Sequence, residues 1–168
     1  MNNDFDKLPV EAQNIVKKLN LDKAYEGIYL KRQYQKPGQS MRPEGTSIYA
    51  VAAWYAPSLL HRLDCDELWH FYAGMPLEIY ILENKEFRVE ILGNDLDKGH
   101  KPLVIVPGGS VFGALSPEKN GWCFFGCTCI PGFSSEKCEF IKKDDAILQE
   151  INIDDKILQR LTKYPENK

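Results

Sequence analysis

Between residues 46 and 142 the chain is divided into short runs of β-branched and aromatic residues by Gly, Pro, Asn and Asp, and this punctuation limits the fold more than any other feature. The runs fall at residues 46–54, 59–63, 67–72, 76–82, 87–92, 103–107, 122–130 and 139–142. Turn signals such as Ala73-Gly74, Gly93-Asn94-Asp95, Lys98-Gly99 and Pro107-Gly108-Gly109 separate them. Many short strands at this spacing predict an all-β sandwich or barrel of jelly-roll type. A further strand is expected over residues 25–34, followed by a loop at residues 35–45 in the position of a lid. Helices are expected only at the ends. Pro9 suits the first turn of a helix over residues 9–21, with Val10, Ile15, Val16 and Leu19 as its apolar stripe. Short helices are expected at residues 144–151 and 154–161, the second capped by Asp154 or Asp155.

A chain of 168 residues is long enough for one ordinary core, so a single domain over residues 1–168 is expected. The formal net charge of −3 argues against tracking a nucleic-acid backbone, which needs clustered positive charge. No run of about 18 apolar residues suggests a membrane span. The polar start, Asn2-Asn3-Asp4-Phe5-Asp6, lacks the features of a signal peptide. A cytoplasmic protein is therefore expected, and five cysteines, an odd number, fit a reducing compartment better than a disulfide scaffold.

Ionisable side chains concentrate in one aromatic stretch, His61-Arg62-Leu63-Asp64-Cys65-Asp66-Glu67-Leu68-Trp69-His70-Phe71-Tyr72. Asp64-Cys65-Asp66 reads as a turn, with His61 and Glu67 on strands either side, and facing positions of a hairpin lie about 5 Å apart. Alternation sets Glu67, Trp69 and Phe71 on one face and Leu68, His70 and Tyr72 on the other, so His70 joins Glu67 only through a bulge. Imidazole beside carboxylate supplies a base and an orienting acid. The plain alternative is a structural His61 bonded to Asp64 or Asp66. Arg62 fits a carboxylate or phosphate bidentately, or stays solvated. Tyr49, Trp69 and Phe112 offer rings for stacking on a ligand, and the same rings would also make a core. Glu26 is a polar interruption in an apolar strand. Cys123, Cys127 and Cys129 share strand parity but lack zinc-ribbon spacing, so they read as core packing. Cys65, in its polar turn, is expected at the surface.

Glu67 followed by Gly74, with His61 upstream, resembles the end of the first cupin motif. Longer strings, among them Ser58-Leu59-Leu60-His61-Arg62, the run from Asp66 to Leu77, Leu92-Gly93-Asn94-Asp95-Leu96, Val106-Pro107-Gly108-Gly109-Ser110 and Gly126-Cys127-Thr128-Cys129-Ile130-Pro131-Gly132-Phe133, resemble the uncharacterised cupin 5 family in order along most of the chain. The resemblance implies a cupin-type double-stranded β-helix (a jelly roll) with an N-terminal helix and short C-terminal helices, a homodimer, and a pocket inside the barrel. The strand face Ile79-Tyr80-Ile81-Leu82 is expected to be covered by a second copy. The chain departs from the family pattern at Ala24-Tyr25, where His-Pro is usual, at Ile28, where Gly is usual, and at Arg32, where an acidic residue is usual. These departures are expected around the pocket rim.

Metal-dependent cupins use three histidines and a glutamate. Leu63 and Phe112 stand at two of the histidine positions here, which leaves His61 and Glu67, with His70 as a third candidate ligand. Two protein groups hold a divalent ion weakly, so no cofactor is expected. The expected function is binding of a small polar ligand, sugar-like or nucleotide-like, with metal-independent epimerase or isomerase chemistry. In that reading His61 is the base, Asp66 or Glu67 orients it, and Tyr72 or Tyr49 returns a proton; Glu26, Tyr49, Arg62, Trp69, His70 and Phe112 contact the ligand. The alternatives are a non-catalytic binding module and a metal-dependent oxygenase or isomerase.

Overall fold

The architecture follows from strand alternation closed on itself. The structure, a computed structural model, describes residues 4–24, 27–39, 41–149 and 151–163. Two antiparallel sheets face each other. The first contains β1 (Asp22–Lys23), β2 (Tyr29–Lys36), β3 (Gly45–Ala53), β10 (Trp122–Ile130), β5 (Asp66–Gly74) and β8 (Leu103–Val106), in that spatial order. The second contains β11 (Glu139–Phe140), β4 (Ser58–Arg62), β9 (Val111–Leu115), β6 (Leu77–Glu83) and β7 (Glu86–Leu92). Consecutive strands repeatedly cross between the sheets, as a jelly roll requires. Ala50, Ala52, Trp69, Leu77, Ile79, Ile81, Phe112 and Phe125 pack between the sheets.

The helix α1 (Val10–Leu19) covers its apolar stripe and stops two residues short of the expected bound. Asn20 takes a left-handed conformation (φ 51°), and the Leu21 N–H closes on the Val16 carbonyl at 2.9 Å. Ala12 and Val16 bury against Tyr29, Val51 and Ala53 on the outer face of the first sheet. Gln35 and Lys36 extend β2 into the segment expected to be loop, and Glu44 N–H bonds the Lys36 carbonyl across the shortened turn.

Strand β9 is absent from the pattern of apolar runs because Val111-Phe112-Gly113-Ala114-Leu115 is interrupted by glycine. Gly113 is required by close approach: a Cβ there would stand 2.9 Å from the Ser58 carbonyl oxygen of β4. The pairing of β9 with β6 places Ile79 opposite Ala114 and Ile81 opposite Phe112.

The Ile79–Leu82 face is not left for a second copy. Tyr80 and Leu82 point outward from the barrel and are covered by the C-terminal segment of the same chain, through Ile141, Leu148, Leu158 and Leu161. Asp154 caps α2 (Asp155–Leu161) by accepting from the Lys156 and Ile157 N–H groups, as expected. The preceding helix shrinks to one 3-10 turn at Ala146–Leu148, held by Asp145 accepting from Ile147 N–H. Among the described residues no helix is long and apolar enough to cross a membrane.

Candidate functional site

One open end of the barrel is hollow. A cavity of about 480 Å³ lies between the sheets, walled by Ile28, Leu30 and Ile48 from one side and by Trp69, Phe125 and Cys127 from the floor of the first sheet. His61, Ser58 and Leu63 reach it from the second sheet. The segment after β10 crosses the mouth and contributes Phe133, Ser135, Cys138 and Phe140.

His61 and Ser58 both line the cavity although they are three positions apart, because the register of β4 against β9 slips between them: Ser58 faces Ala114 and His61 faces Phe112. The same slip leaves Leu60 on the opposite face, in the outer cluster. The His61 ring lies 4.2 Å from Phe112 and 6.0 Å from Phe140, centroid to centroid. Its Nδ1 is 2.7 Å from the Leu59 carbonyl oxygen. A carbonyl only accepts, so Nδ1 carries the proton in the neutral ring and Nε2 is left as the acceptor. Burial holds the imidazole below its ordinary 6.5, against the bond to Leu59, which favours the charged form.

Glu67 is 7% exposed and lines the same cavity. Trp69 Nε1–H donates to its Oε2 at 2.8 Å, and the Cys129 thiol donates to its Oε1 at 3.7 Å. Burial pushes the carboxyl up to about 7, and these donors, which favour the anion, offset only part of the shift. Glu67 therefore takes up a proton far more readily than an ordinary glutamate. Trp69 is fixed from both sides, stacked on Phe125 at 4.8 Å and edge-on to Phe112 at 6.3 Å.

His61, Glu67 and Trp69 thus meet at one cavity, and the other described site candidates lie elsewhere. Tyr72 is 47% exposed on the outer face, against Tyr49 and Phe124. Gly126 makes room for it, since a Cβ there would stand 2.5 Å from the Tyr72 hydroxyl. Tyr49 occupies the same outer face, so neither tyrosine reaches the interior to return a proton. Asp66 is exposed and accepts from the Gly108 N–H at 2.8 Å, which fixes the turn before β9. Arg62 pairs with Glu139 at 2.9 Å outside the barrel. Phe112 is wholly buried behind His61 and has no place on the lining. His70 follows the alternation away from Glu67, opposite Leu103 of β8; the slip in β5 comes after it, between the pairings of Phe71 and Ala73, and does not turn it inward. Glu26 lies outside the described residues.

Cys65 is also relocated. It is 3% exposed, tucked inward beside Cys129, whose hydrogen bond lowers the Cys65 thiol and raises its own. Cys123, Cys127 and Cys129 face inward, as their parity requires, and Cys127 and Cys129 reach the cavity wall. Several lining residues are not among the named ligand-contacting candidates. Leu30, Arg32, Thr46 and Ile48 follow from alternation along β2 and β3, with Ile28 just before β2 in the same parity, while Phe133 to Phe140 depend on a crossing that local pattern does not specify. Ala24, Ile28 and Arg32, three of the positions where the chain departs from the resembled pattern, all line the cavity.

The residues do not fit a cupin metal centre. Leu63 and Phe112 offer no donor, and among the described residues no three His, Cys, Asp or Glu side chains are grouped so as to hold a metal ion. The fold and site define a cupin-type barrel with a largely apolar internal cavity whose wall carries an imidazole, a carboxyl, a guanidinium and cysteine thiols. The sequence matches the family described as Cupin superfamily (DUF985) over residues 13–141, and the chain belongs to that family. It is similar to the crystal structure of protein SO0799 from Shewanella oneidensis, with 30% identity and a TM-score of 0.81 over 92% of this chain and 98% of that one. A hypothetical protein from Leishmania major is 23% identical with a TM-score of 0.73, covering 85% of this chain and 99% of that one. A cupin 2 conserved barrel domain protein from Rhodopseudomonas palustris shares the fold at 12% identity and a TM-score of 0.56, covering 81% of this chain and 79% of that one. No curated protein matches the sequence.

Proposed function

We propose that this protein binds a small organic molecule inside its barrel, held by His61 and Glu67 and packed against Trp69. The supporting observation is that a buried carboxyl, Glu67, and a part-buried imidazole, His61, share the wall of a cavity of about 480 Å³. Trp69 and Cys129 offset only part of the cost of burying that carboxyl. His61 Nε2 accepts a hydrogen bond, and protonated Glu67 donates one, so the pair suits a ligand with a hydroxyl or carbonyl group. The aliphatic and aromatic wall favours a ligand whose body is mainly apolar over a free sugar.

The test is a ligand-observed NMR screen of aromatic and alicyclic alcohols, ketones and acids against the wild type and Ile48→Trp. The indole should fill the cavity and abolish binding of the hits. If no compound binds in a way that Ile48→Trp blocks, the reading falls.

A second reading, acid–base isomerisation, is favoured by one observation: Glu67 titrates near 7 in the same cavity as a neutral imidazole. With Tyr72 and Tyr49 outside, His61 and Glu67 are themselves the two proton-handling groups. Solvent deuterium entering the α-carbon of a bound ketone, and lost in His61→Ala, is the expected signature. A ketone that binds and exchanges no faster than in buffer eliminates it.

A further inference from the structure

We propose that the ligand is an apolar molecule bearing one anionic group, its body seated in the barrel and its charge met by Arg32 at the mouth. This rests on the reading of the cavity as a ligand site and specifies the class of ligand.

Ile28, just before β2, and Leu30 and Arg32 within it alternate onto the inner face, and Arg32 stands directly opposite Ile48, itself a lining residue. The register slips only after Arg32, so the inward parity holds as far as the guanidinium. Polarity therefore changes along one strand from aliphatic in the interior to cationic at the lip.

Beyond the lip lies a second cavity, of about 570 Å³, that shares Arg32, Phe133 and Ser135 with the first. Its wall includes Arg42, Lys137 and one carboxylate, Glu136. The charges in this vestibule are not equally available. Arg42 is bound to both oxygens of Asp64 at 2.8 Å and also donates to the Gly132 carbonyl, which holds the 35–45 turn against the segment crossing the mouth. Lys137 is exposed, as Arg32 is, and stands next to Glu136 in the chain. Arg32 donates to the neutral Gln35 side chain at 2.8 Å, and among the described residues no carboxylate pairs with it. Its charge is thus uncompensated at the point where a ligand body leaves the apolar chamber. A guanidinium there makes charge-assisted hydrogen bonds to an anionic group, and the Ser135 side chain on the shared wall offers another donor.

The experiment compares two probes of nearly equal shape, 2-naphthoate and 2-naphthamide, by calorimetric titration of wild type and Arg32→Gln at low salt. The expected result is that wild type binds the carboxylate about ten-fold tighter than the amide. In Arg32→Gln the preference should disappear because carboxylate affinity falls to the level of the amide, with an unchanged thermal melt reporting an intact fold. Equal binding of both probes by the wild type, or an unchanged preference in Arg32→Gln, overturns the anionic class and leaves the cavity reading standing. Failure of both probes to bind wild type at millimolar concentration overturns the two together.

Discussion

The two faces of the β11-β4-β9-β6-β7 sheet both bury apolar side chains, but against different partners. Outward, Leu60, Tyr80, Leu82, Val111 and Leu115 meet the C-terminal segment, and Leu158, Leu161 and Ile141 fill the space they leave. Inward, the sheet packs tightly beneath Ile79 and Ile81 and then opens toward His61, where the facing strands retain space. The filled side buries little besides hydrocarbon and the Tyr80 ring. The hollow side holds an imidazole and a carboxyl. Close packing supports stability, and the place where packing stops is where the groups able to handle protons are found.

This contrast can be tested by truncation. Leu161→Ala on the filled side should cost about 2–5 kcal/mol, because Leu161 is wholly buried and leaves a void. Ile48→Ala at the cavity should cost only about 1 kcal/mol, since its side chain is half-buried beside space that already exists. Urea denaturation of the two variants measures the difference, and equal costs would mean the cavity is not hollow in solution.

The charged groups sharpen the contrast as a function of pH. The Glu67 carboxyl rises from 4.5 to about 7 on folding. The stabilising advantage of the protonated form is complete below pH 4.5 and is lost as pH rises through 7, a swing of about 3 kcal/mol. His61, depressed on folding, acts in the opposite sense: its contribution is present above pH 6.5 and is lost as pH falls through its folded value. Glu67→Gln removes the first dependence and keeps the second, so its stability relative to wild type should improve from pH 4 to pH 8. A flat difference across that range would mean Glu67 is solvated. The smallest effect belongs to Glu139→Ala, which breaks the half-exposed pair with Arg62 and should cost less than about 1 kcal/mol in a thermal melt.

Much of this organisation could be read from the residues in advance. Strand positions follow from apolar runs and turn residues, and β10 matches its expected bounds at Trp122–Ile130. Alternation within β5 correctly separates Glu67 and Trp69 from His70 and Tyr72, which makes an interior role for Tyr72 inconsistent with its own strand. Two kinds of information were not local. Gly113 disguises β9, because a glycine chosen for close approach looks like a turn. Cys65 sits between two aspartates and reads as exposed, but its burial is decided by β10, more than sixty positions later, where Cys129 faces it. Likewise nothing near Ile79–Leu82 announces that the C-terminal helix will return to cover that face.

The slip in β4 has a consequence for how this chain can change over time. Leu60 and His61 are consecutive residues assigned to opposite sides of one sheet, and the extra residue before them sets which goes where. Deleting or adding one position between Ser58 and His61 would trade a leucine for an imidazole in both compartments at once. Point substitution can diversify this strand, but a length change there should be lethal to the fold. Insertions are expected instead in exposed turns such as Asn84-Lys85, where one hairpin alone bears the change.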